Sequence, residues 1–120
     1  YESFRLSQGF RVGDLVLISG QAAIDENGGL VGVGDFDAQA EQVFLNLRRV
    51  LEAGDSSLDR VVKVTIFVTD IRNREQVWRA RREFFTGNFP ASTLVEVRAL
   101  ADPGLKVEIE AVAYLGAGAR

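Results

Sequence analysis

Histidine, cysteine and methionine are all missing from this 120-residue chain, and it holds only two prolines and one tryptophan. Without cysteine there are no disulfides, thiol nucleophiles or thiolate metal ligands. Without histidine there is no Ser–His or Cys–His catalytic pair and no zinc site of the usual kind. Acid–base work near neutrality is left to Asp, Glu, Lys, Tyr or an ordered water. No apolar run approaches the ~18 residues of a membrane span, and no secretory leader is recognisable. The formal net charge of −3 supplies none of the positive excess that nucleic acid or an anionic membrane would attract. A lack of cysteine suits reducing and oxidising compartments equally, so a cytoplasmic location is only the default expectation.

What is present is ordinary for a soluble globular protein: 47% hydrophobic and 26% charged residues. The length predicts one domain over residues 1–120, able to bury roughly two thirds of its unfolded surface in a single core. No internal repeat, low-complexity stretch or long linker divides it.

Residues Tyr1–Phe10 mix apolar and polar side chains, as an edge strand does, and Arg11–Asp14 reads as a turn around Gly13. Leu15–Gln21 (LVLISGQ) predicts a strand that is apolar on both faces up to Ser19, and Asp25–Gly29 a hairpin or loop. Leu30–Asp35 is Gly-rich and extended. A helix is expected from an Asp37 cap, because Ala40, Val43, Phe44, Leu47, Val50 and Leu51 recur at helical spacing until Gly54. Arg60–Thr69 is rich in β-branched residues and predicts a strand. Asn73 is placed to cap a second helix with Val77, Ala80, Arg81, Phe84 and Phe85 along one side, ending near Gly87 and Pro90. Strands at about Ala91–Leu100 and Lys106–Leu115 follow, joined by the turn Ala101–Gly104.

The order β-β-(β)-α-β-α-β-β predicts an α+β sandwich: one mixed sheet of about six strands with two helices on one face. Leu15–Ile18 and Val61–Val68 carry apolar side chains toward both faces, so the face without helices needs a cover. No chain is left over to supply it, and homo-oligomerisation is the economical answer.

Several signals carry a functional and a structural reading side by side. Gly32-Val-Gly34 before a helix lacks the third glycine of a dinucleotide loop, since position 37 is Asp, and reads as turn chemistry. Arg72, Arg74, Arg79, Arg81 and Arg82 gather around the second helix, but an acidic domain with one nearby Trp78 fits a solvated helix face better than a nucleic-acid surface. Trp78 sits off the apolar stripe, which favours an interface or a pocket wall. Glu108 and Glu110 alternate on the last strand, with Lys106 two residues earlier. They form either a charged ladder at a subunit seam or a site in which a half-buried carboxylate holds a water.

Taken together, Leu15–Gln21, Val61–Asp70, Phe84-Phe85, Phe89-Pro90-Ala91 and Val107–Ala113 match, in order and spacing over nearly the whole chain, a known family. The sequence resembles the Rid family, the reactive intermediate deaminases, also called YjgF or L-PSP endoribonucleases. The resemblance implies a chorismate-mutase-like sandwich. It also implies a homotrimer whose sheets face inward, with small-molecule ligands in clefts between neighbouring subunits, no cofactor and no metal. Active members of this family hydrolyse enamines and imines, such as 2-aminoacrylate and its imine tautomer, to a 2-oxo acid and ammonia.

Residue by residue, Glu108 matches the glutamate that positions the attacking water, and Ser19 and Gly20 match the Ser-Gly-Gln motif of the site. The family's carboxylate-gripping arginine, which follows Phe-Pro-Ala, is Ser92 here. A pocket tyrosine is matched by Leu6, a second-helix asparagine by Trp78, and a frequent cysteine by Leu94. Serine offers one neutral donor where a guanidinium would add charge-assisted bonds of roughly 1.5–3 kcal/mol each. The pattern therefore resembles the arginine-lacking subgroups. The expected ligand is an enamine or imine without a 2-carboxylate, with weak or no turnover of 2-aminoacrylate; Arg5, Arg81 and Arg98 are the candidates to replace the missing charge. The alternative is a trimer that binds a small ligand without transforming it. RNA cleavage, the activity in one family name, fits poorly with the acidic balance and absent histidine.

Overall fold

In a computed structural model, which describes residues 6–87 and 89–115, seven main elements appear. They are β1 (Gly9–Val12), β2 (Leu15–Ala22), α1 (Phe36–Ala53), β3 (Val61–Val68), α2 (Arg74–Phe84), β4 (Ala91–Glu96) and β5 (Val107–Tyr114). One sheet orders its strands β1-β2-β5-β3-β4. All pairings are antiparallel except β3 with β4, which the crossover through α2 makes parallel neighbours. The α+β sandwich with a mixed sheet is as expected.

Three details differ from the sequence expectations. The sheet has five strands rather than about six, because Leu30–Asp35 contributes only an isolated bridge from Leu30 to Ile24. Gly32 and Gly34 take positive φ values of 63° and 82°, which turns the chain toward α1 instead of along the sheet. Asp35, not Asp37, caps α1: its carboxylate accepts from the Ala38 amide at 3.2 Å. Starting the helix there brings Phe36 into the core at 5% exposure, which a cap at Asp37 would forgo. The edge strand begins at Gly9, and the part of that expectation on Tyr1–Arg5 lies outside the described residues. β4 ends at Glu96, earlier than Leu100.

Asn73 precedes α2 as expected, although its side chain donates to Gln76 rather than closing the helix end. Phe44 of α1 stacks on Phe84 with ring centroids 4.9 Å apart and meets Phe85 edge-on at 5.7 Å, which locks the two helices together. Both helices lie on one face of the sheet, over Val16, Ile18, Val64, Ile66, Ile109 and Ala111. Each such side chain contributes roughly 1.5–3 kcal/mol of burial when large. Gln39, fully buried on α1, accepts from the Lys106 amide at 2.7 Å and donates to the Gly104 carbonyl at 2.8 Å, clamping the turn before β5.

The second face has no cover among the described residues. Cross-strand register puts Phe10 opposite Leu17, and Leu17 opposite Val112, in one apolar row. Phe10 and Leu17 are 62% and 42% exposed. No helix of the described residues is long and apolar enough to cross a membrane.

Candidate functional site

Two clusters of candidate residues form, one on each face of the sheet. The first is on the open face. The register of β2 against β5 slips between Ile18 and Gln21, where β2 carries one extra residue. The resulting bulge at Ser19-Gly20 sets Ala22 opposite Glu108 and lays Gly20 against the Glu108 carboxyl group. A β-carbon at position 20 would come within 2.0 Å of Glu108 Oε1, so glycine is the residue that leaves this carboxyl its place. Burial raises the Glu108 pKa above the ordinary glutamate value, and the neighbouring charge of Glu110 adds to the rise. The Ser19 hydroxyl donates to the Ser7 carbonyl, while the Ser19 amide donates to Gln8 at 2.8 Å. These bonds hold the segment after Leu6, itself exposed, beside the bulge. Lys106 forms no ion pair with Glu108 or Glu110 among the described residues.

The second cluster is on the helix side of β4. Ser92 pairs with Val64 and Leu94 with Ile66, both buried beneath the helices, so Ser92 and Leu94 share that face. Leu94 packs against the core. At Ser92, Arg81 of α2 reaches across the sheet edge and its Nη1 donates to Ser92 Oγ at 2.6 Å. The Arg81 guanidinium carbon lies 5.8 Å from the Trp78 ring centroid and 5.7 Å from that of Phe85. Loss of water around it lowers the Arg81 pKa. Trp78, Arg81, Arg82, Phe85, Thr86 and Phe89 border a concave surface of about 530 Å³.

Within one chain the two clusters stay apart. Along β5, Glu108 pairs with Phe67 of β3, whereas Ser92 lies in the row of Val64 and Ala111. That is three residues along the strand, roughly 10 Å, and on the opposite face. The sequence reading put Glu108 and Ser19 as catalytic and Ser92, Gly20, Leu6, Trp78 and Leu94 as substrate-binding residues of one pocket, and within one chain the structure divides them between the two faces. The sequence offered Arg81 only as one of three spare arginines; its bond to Ser92 depends on how α2 packs over β4. Arg98 borders a separate concavity with Asp70, Arg72 and Glu96, and Arg5 lies outside the described residues. Among the described residues no group of three or more Asp or Glu is disposed to hold a metal.

A five-stranded mixed sheet with two helices on one face, a glycine-seated glutamate and an arginine over the edge strand define an α+β sandwich with a candidate small-molecule site. Residues 2–115 match the family described as Endoribonuclease L-PSP, and the chain belongs to that family, also known as the YjgF or Rid family. It is 39% identical over 109 residues to the RutC family protein y4sK of Sinorhizobium fredii, covering 91% of this chain and 86% of that protein. It is 38% identical over 109 residues to the 2-iminobutanoate/2-iminopropanoate deaminase of Salmonella typhimurium, covering 88% of this chain and 84% of the relative. The crystal structure of RidA from the Antarctic bacterium Psychrobacter sp. superposes with a TM-score of 0.85 at 38% identity, covering 91% and 87% of the two chains.

Proposed function

We propose that this protein is a cofactor-free hydrolase that deaminates a small enamine or imine. In the reaction, a water oxygen adds to the C=N carbon of the imine tautomer. The resulting carbinolamine expels its nitrogen, so that an iminium ion and water become a carbonyl compound and ammonium. Glu108 is the residue proposed to hold that water and take up its proton. The reading rests on one observation above the rest: a half-buried carboxyl with a raised pKa, seated over a glycine on the open face of the sheet. Partial burial keeps such a group closer to the pH of its work than an exposed glutamate would be. The relatives named 2-iminobutanoate/2-iminopropanoate deaminases support the reaction class.

Ser19 and Gly20 are proposed to shape the wall beside Glu108, with Leu6 at its rim. Ser92, Trp78 and Leu94 are proposed to belong to the ligand-binding half. Because the halves occupy opposite faces of one sheet, a single ligand touching both needs two copies of the chain. A homotrimer with its open sheet faces inward supplies that arrangement and covers the exposed Phe10–Leu17–Val112 row.

The deciding experiment is steady-state hydrolysis of small imines with and without a 2-carboxylate, generated in situ, by wild type and Glu108→Ala. A drop of roughly a hundredfold to ten-thousandfold in kcat/KM is expected for loss of a general base. Turnover in Glu108→Ala equal to wild type would remove Glu108 from the reaction. The alternative, a trimer that binds a ligand without changing it, predicts thermal stabilisation by such ligands with no release of ammonia.

A further inference from the structure

Two buried amides beneath the β2 bulge have no part in the proposed reaction. Alternation along β2 from Ile18, on the covered face, would send Gln21 to the open face and Ala22 under the helices. The one-residue slip reverses both. Gln21 lies opposite the buried Ile109 and is itself 3% exposed, while Ala22 faces Glu108. Placing a primary amide in the core costs free energy unless its groups are bonded. Gln21 Nε2 donates to the Ser19 carbonyl at 2.9 Å, and Ser19 is one of the two residues that the slip leaves without a partner in β5.

The second amide is Asn46 of α1, 4% exposed. Its Nδ2 donates to the carbonyls of Ala22 and Ile24 at 2.9 and 2.8 Å. Its Oδ1 accepts from Gln42 at 2.8 Å and from Arg49 at 3.1 Å, which fixes the end of the amide that points at the strand. Asparagine is a poor helix former, and it stands among the buried residues of α1, where an apolar side chain would serve the fold better. The bonds to Ser19 and Ala22 bracket Gly20, the residue against which the Glu108 carboxyl lies.

We propose that Gln21 and Asn46 are positioning residues: from the covered side they hold the β2 bulge in the shape that seats the Glu108 carboxyl over Gly20. The inference rests on the proposed role of Glu108 and extends the site to two residues that act on it through the backbone. Around Glu108 itself, β3 presents Phe67, β2 presents Gly20 and Ala22, and Glu110 is the neighbouring charge. The titration of Glu108 therefore reports how closely the bulge is held against it.

The test uses Gln21→Met and Asn46→Leu, which roughly keep side-chain size and remove the donors. Carbon NMR of the glutamate carboxyls, with the Glu108 signal assigned through Glu108→Gln, should show the Glu108 pKa falling toward the ordinary glutamate value in each variant, since a loosened bulge admits water. Imine hydrolysis should lose roughly tenfold to a hundredfold in kcat/KM, the scale of a misplaced reacting group. Val43→Ala, a truncation of a fully buried residue on the same helix that spares these bonds, is the control. It should lower Tm and leave the Glu108 titration as in wild type. Should a variant fail to fold, Gln21→Asn and Asn46→Gln, which keep the amide and change only its reach, carry the same expectations. A Glu108 pKa that stays in place in the folded variants, or moves as far in Val43→Ala, overturns the proposal. Because the titration needs no substrate, the two readings fail separately. A pKa that moves in a protein that hydrolyses no imine keeps the positioning and retires the hydrolase. Turnover that requires Glu108 but is indifferent to both amides does the reverse.

Discussion

The two faces of the sheet solve different problems with the same strands. On the covered face, α1 and α2 bury Val64, Ile66, Ile109 and Ala111, and the polar groups that enter are fully engaged, as Gln39 is by Gly104 and Lys106. On the open face, Phe10, Leu17 and Val112 form an apolar row, and Glu108 on that face makes no ion pair among the described residues. A face designed only for water would not carry that row, and one designed only for packing would not carry Glu108. The contrast is what the proposed trimer and site would explain, while on the covered side α2 brings the charge of Arg81 to the β4 edge.

The sharpest way to break the contrast is Leu17→Asp, flanked by Phe10 and Val112. A charge in the middle of the apolar row should dissociate the proposed trimer, and light scattering at micromolar concentration should show the mass fall to that of one chain. If the wild type is itself a monomer under those conditions, the open face has no second copy to cover it. The effect is expected to be complete, since an unpaired buried carboxylate costs several kcal/mol at each of the contacts it enters. Catalysis should fall with it, because the two site halves would separate.

Gly20→Ala should have a smaller and more selective effect. The added methyl group would overlap the Glu108 carboxyl, which must swing away. About a tenfold or greater loss of kcat/KM is expected. The fold should hold, because the displaced group is the end of a flexible side chain. Far-ultraviolet circular dichroism and the melting temperature separate this outcome from general damage. Unchanged turnover in Gly20→Ala would mean that the seated position of Glu108 is unimportant.

The mildest prediction concerns pH. Glu108 is protonated more readily in the folded chain than in the unfolded one, because burial and Glu110 both disfavour its charge. Its ionisation therefore costs stability above its folded pKa, and that cost disappears as pH falls through the folded pKa toward the unfolded value. Glu108→Gln should melt slightly higher than wild type at neutral pH, with the gap closing on acidification. Because the group is half-exposed, water moderates the gain. Asp70 behaves in the opposite sense: hydrogen bonds from Arg72 hold its carboxyl well below the usual range, so what it contributes is lost only in strong acid.

Much of this molecule was legible in its residues. Val61–Val68 is a strand because β-branched side chains suit an extended backbone, and α1 follows the spacing of Ala40, Val43, Phe44, Leu47 and Leu51. The two candidate caps were harder to separate. Asp35 and Asp37 are chemically identical, and only the burial of Phe36 and the left-handed Gly34 choose between them. Glu108 was visible as a charge on an apolar strand. Its seat over Gly20 was not, because the bulge at Ser19-Gly20 shifts the register by one residue and nothing in LVLISGQ announces the slip. Arg81 was visible as one arginine among several, and the feature that distinguishes it is a through-space bond.

Local order, the class of fold and the family follow from patterns that neighbouring residues impose on the backbone: alternation for strands, helical spacing for helices, and motif blocks in a set sequence. Those are short-range effects, and the chain spells them out. The partition of candidate residues between the two sheet faces, and the approach of Arg81 to Ser92, depend on strand register and on helix packing over the β4 edge. A one-residue slip moves a side chain from one face to the other, and a helix rotation moves a guanidinium by several ångströms. Such long-range placements arise only when the whole core has closed, which is why the tertiary structure, and not the order of residues, brought Arg81 to Ser92.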